Sequence, residues 1–102
     1  MAKSESFKDI IHGPQPVLID FFAEWCGPCK AMSPILSDIA ADFKEKIRVI
    51  KIDVDKNPEI ASNLNFMGVP TLMLFNQGKM MWRQSGMLSR QALTAKLEQY
   101  AN

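Results

Sequence analysis

The chain has 102 residues, 47% of them apolar and 23% charged, which is the composition of one small globular domain over residues 1–102 and excludes a disordered chain. Twelve basic residues nearly balance eleven acidic ones and form no basic block, so nucleic acid is not an expected partner. No apolar run is long enough for a membrane span, and the polar N-terminus does not resemble a secretory signal, which predicts a reducing, cytoplasmic setting without a membrane partner.

Apolar patterning predicts the elements of the first half. Residues 4–11 predict a short helix that a serine caps, and a Gly/Pro-rich loop ends it. Residues 17–22 are apolar apart from Asp20, which predicts a strand covered by helices on both faces. After this strand, apolar residues at four-residue spacing predict one long amphipathic helix.

The second half continues this alternation. Residues 47–54 are strand-like and rich in β-branched side chains. Asn57 and Pro58 predict the cap and first residue of a short helix. Residues 71–75 and 79–85 predict a hairpin, and a last amphipathic helix follows. The predicted order is αβαβαββα, in which strands separated by helices run parallel and the hairpin adds an antiparallel strand.

The two cysteines of the chain, Cys26 and Cys29, lie directly after the predicted strand. At a strand-to-helix junction the first sulfur lies where unpaired helix N–H groups favour negative charge, and hence a thiolate. The thiolate is the nucleophile of disulfide exchange, and the second cysteine lies one helical turn later on the same face, where it can attack a mixed disulfide. The pair therefore predicts redox chemistry.

Two other uses of a Cys-x-x-Cys pair are weaker. A zinc site needs four ligands, but the chain has no second cysteine pair and a single histidine, His12, which lies in a Gly/Pro loop and is expected to be solvated. A structural disulfide over so short a loop removes little unfolded-chain entropy, and a secreted scaffold of this size normally carries more cysteines. No metal is therefore expected.

The segment around the cysteines resembles the active site of the thioredoxin family. Residues 20–30 match the family's active-site segment, residues 68–72 match its cis-proline loop, and Gly78 and Gly86 match the glycines that flank its last strand. The resemblance covers nearly the whole chain. It implies a thioredoxin-like α/β fold, in which a central mixed β-sheet is flanked by helices on both faces.

The start of the chain departs from the family pattern. Thioredoxins usually carry a strand before the first helix, but too few residues precede Phe7 for a strand and a turn. We therefore predict that this strand is missing or vestigial, which would leave residues 47–54 at a sheet edge. A monomer is expected, with an edge-strand dimer as the alternative. The charges that would discourage edge pairing are Arg48, Lys51, Asp53 and Asp55.

Asp20 is a candidate catalytic residue. Alternation places its carboxyl group inside an apolar strand, where burial should raise the pKa. The resemblance implies that this carboxylate acts as a base for the second cysteine, Cys29. The alternative is a satisfied core carboxylate paired with Lys51, a position that matches a family lysine.

The resemblance also implies a substrate-binding rim around Cys26. Pro70 would follow a cis peptide bond, and the backbone of Val69 would offer its N–H and C=O to an extended substrate segment. The other rim residues implied by the match are Trp25, Gly27, Pro28, Gly86 and Met87.

The predicted function is reduction of protein disulfides by the Cys26 and Cys29 dithiol. The resemblance implies disulfide-containing target proteins and a thioredoxin reductase as partners, and neither a metal nor an organic cofactor. One alternative is a disulfide oxidase or isomerase with a more oxidising couple, which the Gly27-Pro28 pair disfavours because it resembles the reducing members of the superfamily. The other is a binding subunit with this fold whose redox activity is incidental.

Overall fold

A computed structural model of the chain describes residues 6–65 and 68–101. Within these ranges it has the predicted element order αβαβαββα. The elements are α1 Phe7–Ile11, β1 Val17–Phe22, α2 Gly27–Phe43, β2 Arg48–Asp53, α3 Pro58–Leu64, β3 Thr71–Asn76, β4 Lys79–Ser85 and α4 Arg90–Glu98.

Two of the shorter helices begin at serine caps. The side chain of Ser6 accepts a backbone N–H of α1 at 3.1 Å, and Ser89 does the same for α4 at 3.1 Å. Asn57 and Pro58 are the N-cap and first residue of α3, as predicted, but the Asn57 side chain makes no capping hydrogen bond at its backbone angles of φ −134° and ψ 59°. The Asn57 amide instead donates to the carbonyl oxygen of Asp53 at 2.9 Å.

The four strands form one mixed sheet in the order β2-β1-β3-β4. β1 and β2 run parallel, but β3 is antiparallel to β1, so the expectation that all helix-separated strands run parallel is wrong. α3 lies in the link between β2 and β3, and its seven residues span about 10 Å, about half the length of a strand, so this helix does not itself carry the chain back along the sheet. The chain enters β3 at the end of the sheet where β1 and β2 finish.

Two hydrophobic clusters cover the two faces of the sheet. Leu18 of β1 lies in the cluster with α2 and α4, and its neighbour Ile19 lies in the cluster against α1 and α3. Because side chains alternate along a strand, Asp20 lies on the same face as Leu18. The predicted strand with helices on both faces is confirmed, since Val17–Phe21 is buried throughout.

β2 and β4 are the edges of the sheet in the part of the chain that the structure describes. The predicted absence of a strand before α1 concerns residues 1–5, which lie outside that part. Asp53 is not an edge charge as predicted. It is buried, and its Oδ1 accepts the backbone N–H groups of Asp55 and Lys56 at 2.9 and 3.3 Å. None of the described helices is long and apolar enough for a membrane span.

Candidate active site

Cys26 and Cys29 form a disulfide at the N-terminus of α2, with their Cα atoms 5.3 Å apart. Cys26 is the N-cap of the helix, and its Sγ accepts the backbone N–H of Cys29 at 3.1 Å. The predicted position of the first sulfur at the helix N-terminus is therefore confirmed. Reduction would leave a Cys26 thiolate in contact with that N–H group and at the positive end of the helix dipole.

Burial does not distinguish the two cysteine residues. Cys26 is 3% exposed and Cys29 is 4% exposed. What differs is their surroundings, because Cys26 Sγ accepts the helix N–H and lies 3.7 Å from the carbonyl oxygen of Val69. Cap position thus favours Cys26 as the nucleophile, whereas burial alone favours neither.

Trp25 is the most exposed large apolar side chain of the described residues, at 72%. Its indole N–H donates to Asp55 Oδ2 at 2.9 Å, which fixes the ring at the surface beside the cysteines. Gly27 and Pro28 are also exposed. Sequence reasoning missed Asp55 as a site residue, since it lies thirty positions from Trp25 and no local pattern connects them.

The Val69–Pro70 peptide bond is cis, as the resemblance implied. Val69 is half-buried and its carbonyl faces Cys26, whereas Pro70 is buried, so the proline ring contributes little to the exposed rim. Gly86 is exposed, and its N–H donates to the Pro70 carbonyl at 2.8 Å. The structure thus brings Cys26, Val69, Pro70 and Gly86 together.

Asp20 is fully buried, as alternation predicted. Burial raises the pKa of its carboxyl group from 3.8 to about 6, and the positive charge of Lys51 lowers it only in part. Neither carboxylate oxygen has a hydrogen-bond partner among the described groups. Asp20 is therefore a buried acid that can exchange a proton near neutral pH.

Lys51 does not satisfy this carboxylate, although the two residues are neighbours across β1 and β2. Its Nζ donates to Ser33 Oγ at 3.1 Å and lies 5.0 Å from the ring centroid of Phe22. The alternative of a core carboxylate satisfied by Lys51 is therefore not supported. Lys51, Ser33 and Cys29 line a cleft of about 450 Å³ that opens to the surface.

His12 is exposed, as predicted, and its Nδ1 lies 2.8 Å from the carbonyl oxygen of Lys8. Among the residues that the structure describes, no three His, Cys, Asp or Glu side chains are grouped closely enough to hold a metal ion.

Comparison with known proteins identifies the family of this chain. A family model named Thioredoxin matches residues 1–99. The chain belongs to the thioredoxin family. A thioredoxin from Acidithiobacillus ferridurans is 44% identical over 95 residues, which are 92% of this chain and 88% of that protein.

Two further thioredoxin relatives extend this finding. A bifunctional thioredoxin reductase/thioredoxin from Mycobacterium leprae is 41% identical over 91 residues, which are 89% of this chain and 20% of that protein. A solved structure of a mutant thioredoxin from Halobacterium salinarum NRC-1 is 37% identical, with a TM-score of 0.85 over 93% of this chain and 82% of that chain. The predicted thioredoxin-like α/β fold is confirmed.

Family membership and the Cys26–Cys29 disulfide together define the chemistry of the site. It is that of a thiol-disulfide oxidoreductase, in which the cysteine pair itself is the redox group. Two electrons and two protons separate its disulfide from its dithiol form.

Proposed function

We propose that the protein reduces disulfide bonds in target proteins. The observation that carries the proposal is the position of Cys26, whose sulfur caps α2 and faces the Val69 backbone beside the exposed Trp25 ring. A sulfur at a helix N-terminus is favoured as a thiolate, and the neighbouring backbone suits an extended substrate segment.

The reaction has two exchange steps. The Cys26 thiolate attacks one sulfur of the substrate disulfide, which forms a mixed disulfide and releases the other substrate sulfur as a thiolate. The Cys29 thiolate then attacks Cys26, which forms the Cys26–Cys29 disulfide and releases the second substrate thiolate. The two protons of the cysteine thiols end on the substrate thiols, so the substrate gains two electrons and two protons.

We propose that the Asp20 carboxylate accepts the thiol proton of Cys29 before the second exchange step. The Asp20 carboxyl group has a pKa of about 6, so it is mostly ionised at neutral pH and can accept that proton. Cys29 and Lys51 line one cleft, and Lys51 is the neighbour of Asp20 across β1 and β2, which supports placing Asp20 close to Cys29.

The proposed partners are disulfide-containing proteins and a thioredoxin reductase, which would return two electrons to the disulfide. The Mycobacterium leprae relative supports the second partner, because its name joins a reductase to a thioredoxin. The proposed substrate contacts are the backbone of Val69 and the exposed residues Trp25, Gly27, Pro28 and Gly86. We propose the cytoplasm as its location, since a dithiol reductase needs a reducing supply.

Trapping the mixed disulfide tests the function. Reduced Cys29→Ser protein keeps the nucleophile but lacks the resolving thiol, so it should accumulate a one-to-one adduct with a disulfide-bonded test protein such as insulin. The matched variant Cys26→Ser should form far less adduct, and wild-type protein with a thioredoxin reductase should reduce the test protein repeatedly. Equal adducts on the two variants, or no turnover by wild type, would contradict the proposal.

The role of Asp20 needs a separate measurement. In Asp20→Asn protein the rate of the second exchange step should fall at neutral pH, because Cys29 loses its proton acceptor, whereas adduct formation by Cys26 should be little changed. Stopped-flow mixing resolves the two steps. A second step that keeps its wild-type rate from pH 5 to pH 8 would remove Asp20 from the mechanism.

A further inference from the structure

Side chains of the β4 strand hold both ends of the stretch of chain that leads to Val69, at residues 64–65 and at Gly68. At the first end, Arg83 of β4 donates from Nη1 to the carbonyl of Leu64 at 3.2 Å and from Nη2 to that of Asn65 at 3.1 Å. The last carbonyls of a helix lack intrahelical partners, and α3 has no basic residue in its own last turn. Arg83, which lies on β4, therefore donates hydrogen bonds to carbonyl groups at the end of α3 that no basic side chain in the last turn of α3 reaches.

At the second end, Ser85 acts through Thr71. Thr71 Oγ1 donates its single proton to the carbonyl of Gly68 at 2.6 Å. The contact of 3.0 Å between the Thr71 and Ser85 hydroxyl oxygens must then be a hydrogen bond that Ser85 donates. The Ser85 hydroxyl thus donates to the Thr71 hydroxyl, which in turn donates to the backbone carbonyl of Gly68.

Val69 directly follows the second of these attachments, and a third attachment holds the residue after it, Pro70. Arg83 holds residues 64–65, the hydroxyl pair holds Gly68, and the N–H of the next residue after β4, Gly86, holds the carbonyl of Pro70 at 2.8 Å. The Val69 carbonyl is 3.7 Å from Cys26 Sγ. Residues 83 and 85 of β4 alternate with Gln84, so they project from one face of the strand and Gln84 from the other.

We propose that Arg83 and Ser85 are positioning residues, which hold the Val69 backbone at the distance from Cys26 that docking of an extended substrate requires. The proposal deepens the proposed function and rests on it. No described hydrogen bond joins either residue to a cysteine, so their loss leaves the exchange chemistry in place and weakens the docking of a polypeptide.

The test compares two substrates of the reduced protein. A small aromatic disulfide reports the reactivity of Cys26 without polypeptide docking, whereas a disulfide-bonded protein needs the Val69 backbone. For Ser85→Ala and Arg83→Ala, the second-order rate constant with the protein disulfide should fall by roughly threefold to tenfold, as expected for one or two lost hydrogen bonds. The rate constant with the small disulfide should stay within about twofold of wild type.

Conservative variants and a neighbouring control separate positioning from general damage. Ser85→Thr keeps the hydroxyl and should restore the wild-type ratio of the two rate constants. Arg83→Lys can reach one carbonyl but not two, so its ratio should lie between those of wild type and Arg83→Ala. Gln84→Ala changes the same strand on its other face and should behave as wild type. Equal losses on both substrates, or ratios equal to that of Gln84→Ala, would overturn the proposal.

Amide hydrogen exchange tests the positioning without any enzyme assay. The Gly86 N–H bonds to Pro70, so its exchange should become faster in Ser85→Ala and Arg83→Ala, while exchange of the buried Ile19 amide in β1 stays at the wild-type rate. If wild type fails to reduce protein disulfides, the proposed function is wrong, but amide exchange at Gly86 still tests whether Arg83 and Ser85 position the Val69 backbone. Unchanged exchange at Gly86 in both variants would refute that positioning role.

Discussion

Replacing Asp20 with asparagine should stabilise the fold at neutral pH and leave it nearly unchanged in acid. Asparagine has almost the same size as aspartate but cannot ionise. Because Asp20 is fully buried and its oxygens accept no hydrogen bond from the described groups, the substitution removes a buried charge without breaking a described contact.

The size and sign of the effect follow from the pKa of Asp20. Burial raises the pKa from 3.8 to about 6, and one pKa unit corresponds to about 1.36 kcal/mol, so ionisation of Asp20 costs the folded state about 3 kcal/mol. Between these two pH values the folded state binds more protons than the unfolded state, and the free energy of unfolding therefore falls as pH rises. The cost is absent below pH 3.8 and complete above about pH 7.

Urea denaturation of the oxidised protein, followed by circular dichroism from pH 4 to pH 8, measures this effect. The free energy of unfolding of Asp20→Asn minus that of wild type should grow from about 0.5 kcal/mol at pH 4 to as much as about 3 kcal/mol at pH 7.5. Asp9→Asn is the matched control, because the Asp9 side chain is exposed and has no burial cost to relieve. A difference for Asp20→Asn that stays constant across this pH range would refute the reasoning.

Further predictions concern Lys51, Gly86 and Asp55. Lys51→Met removes a charge that lowers the Asp20 pKa, so the fall of stability with pH should move to higher pH in the same urea assay, whereas Lys51→Arg should keep the wild-type profile. Gly86→Ala should lower the free energy of unfolding by about 1–2 kcal/mol because φ is +90° there, and unchanged stability would contradict this. Asp55→Ala removes the acceptor of the Trp25 indole N–H and, in a Trp82→Phe background, should alter the Trp25 emission spectrum; an identical spectrum would show that the hydrogen bond is absent in solution.

Local patterns were sufficient for most of the fold. The apolar run of β1 predicted a strand covered on both faces because burial on two sides leaves no room for alternation with polar residues. The serine cap predicted for the first helix is Ser6, and local chemistry was sufficient there because a capping hydroxyl acts within one turn. The spacing of Cys26 and Cys29 likewise predicted their meeting at the start of α2, since one helical turn separates them.

Features that depend on distant parts of the chain could not be predicted in this way. The direction of β3 depends on how the link from β2 to β3 packs in the assembled sheet, and the expectation that strands separated by helices run parallel gave the wrong direction. The bonds from Trp25 to Asp55 and from Arg83 to Leu64 join residues thirty and nineteen positions apart. No local periodicity encodes such pairs, because they exist only after the sheet has assembled.

The reduction potential of the Cys26 and Cys29 couple tests most directly the proposal that this protein reduces protein disulfides. It is obtained by equilibrating the protein with defined ratios of a thiol and its disulfide and following Trp25 fluorescence. Reduction of protein disulfides predicts a potential below the glutathione poise of about −220 to −260 mV, because such a couple can reduce disulfides that the glutathione pool leaves oxidised. A potential near the values of folding oxidases, about −120 to −180 mV, would contradict it and make disulfide donation the better assignment.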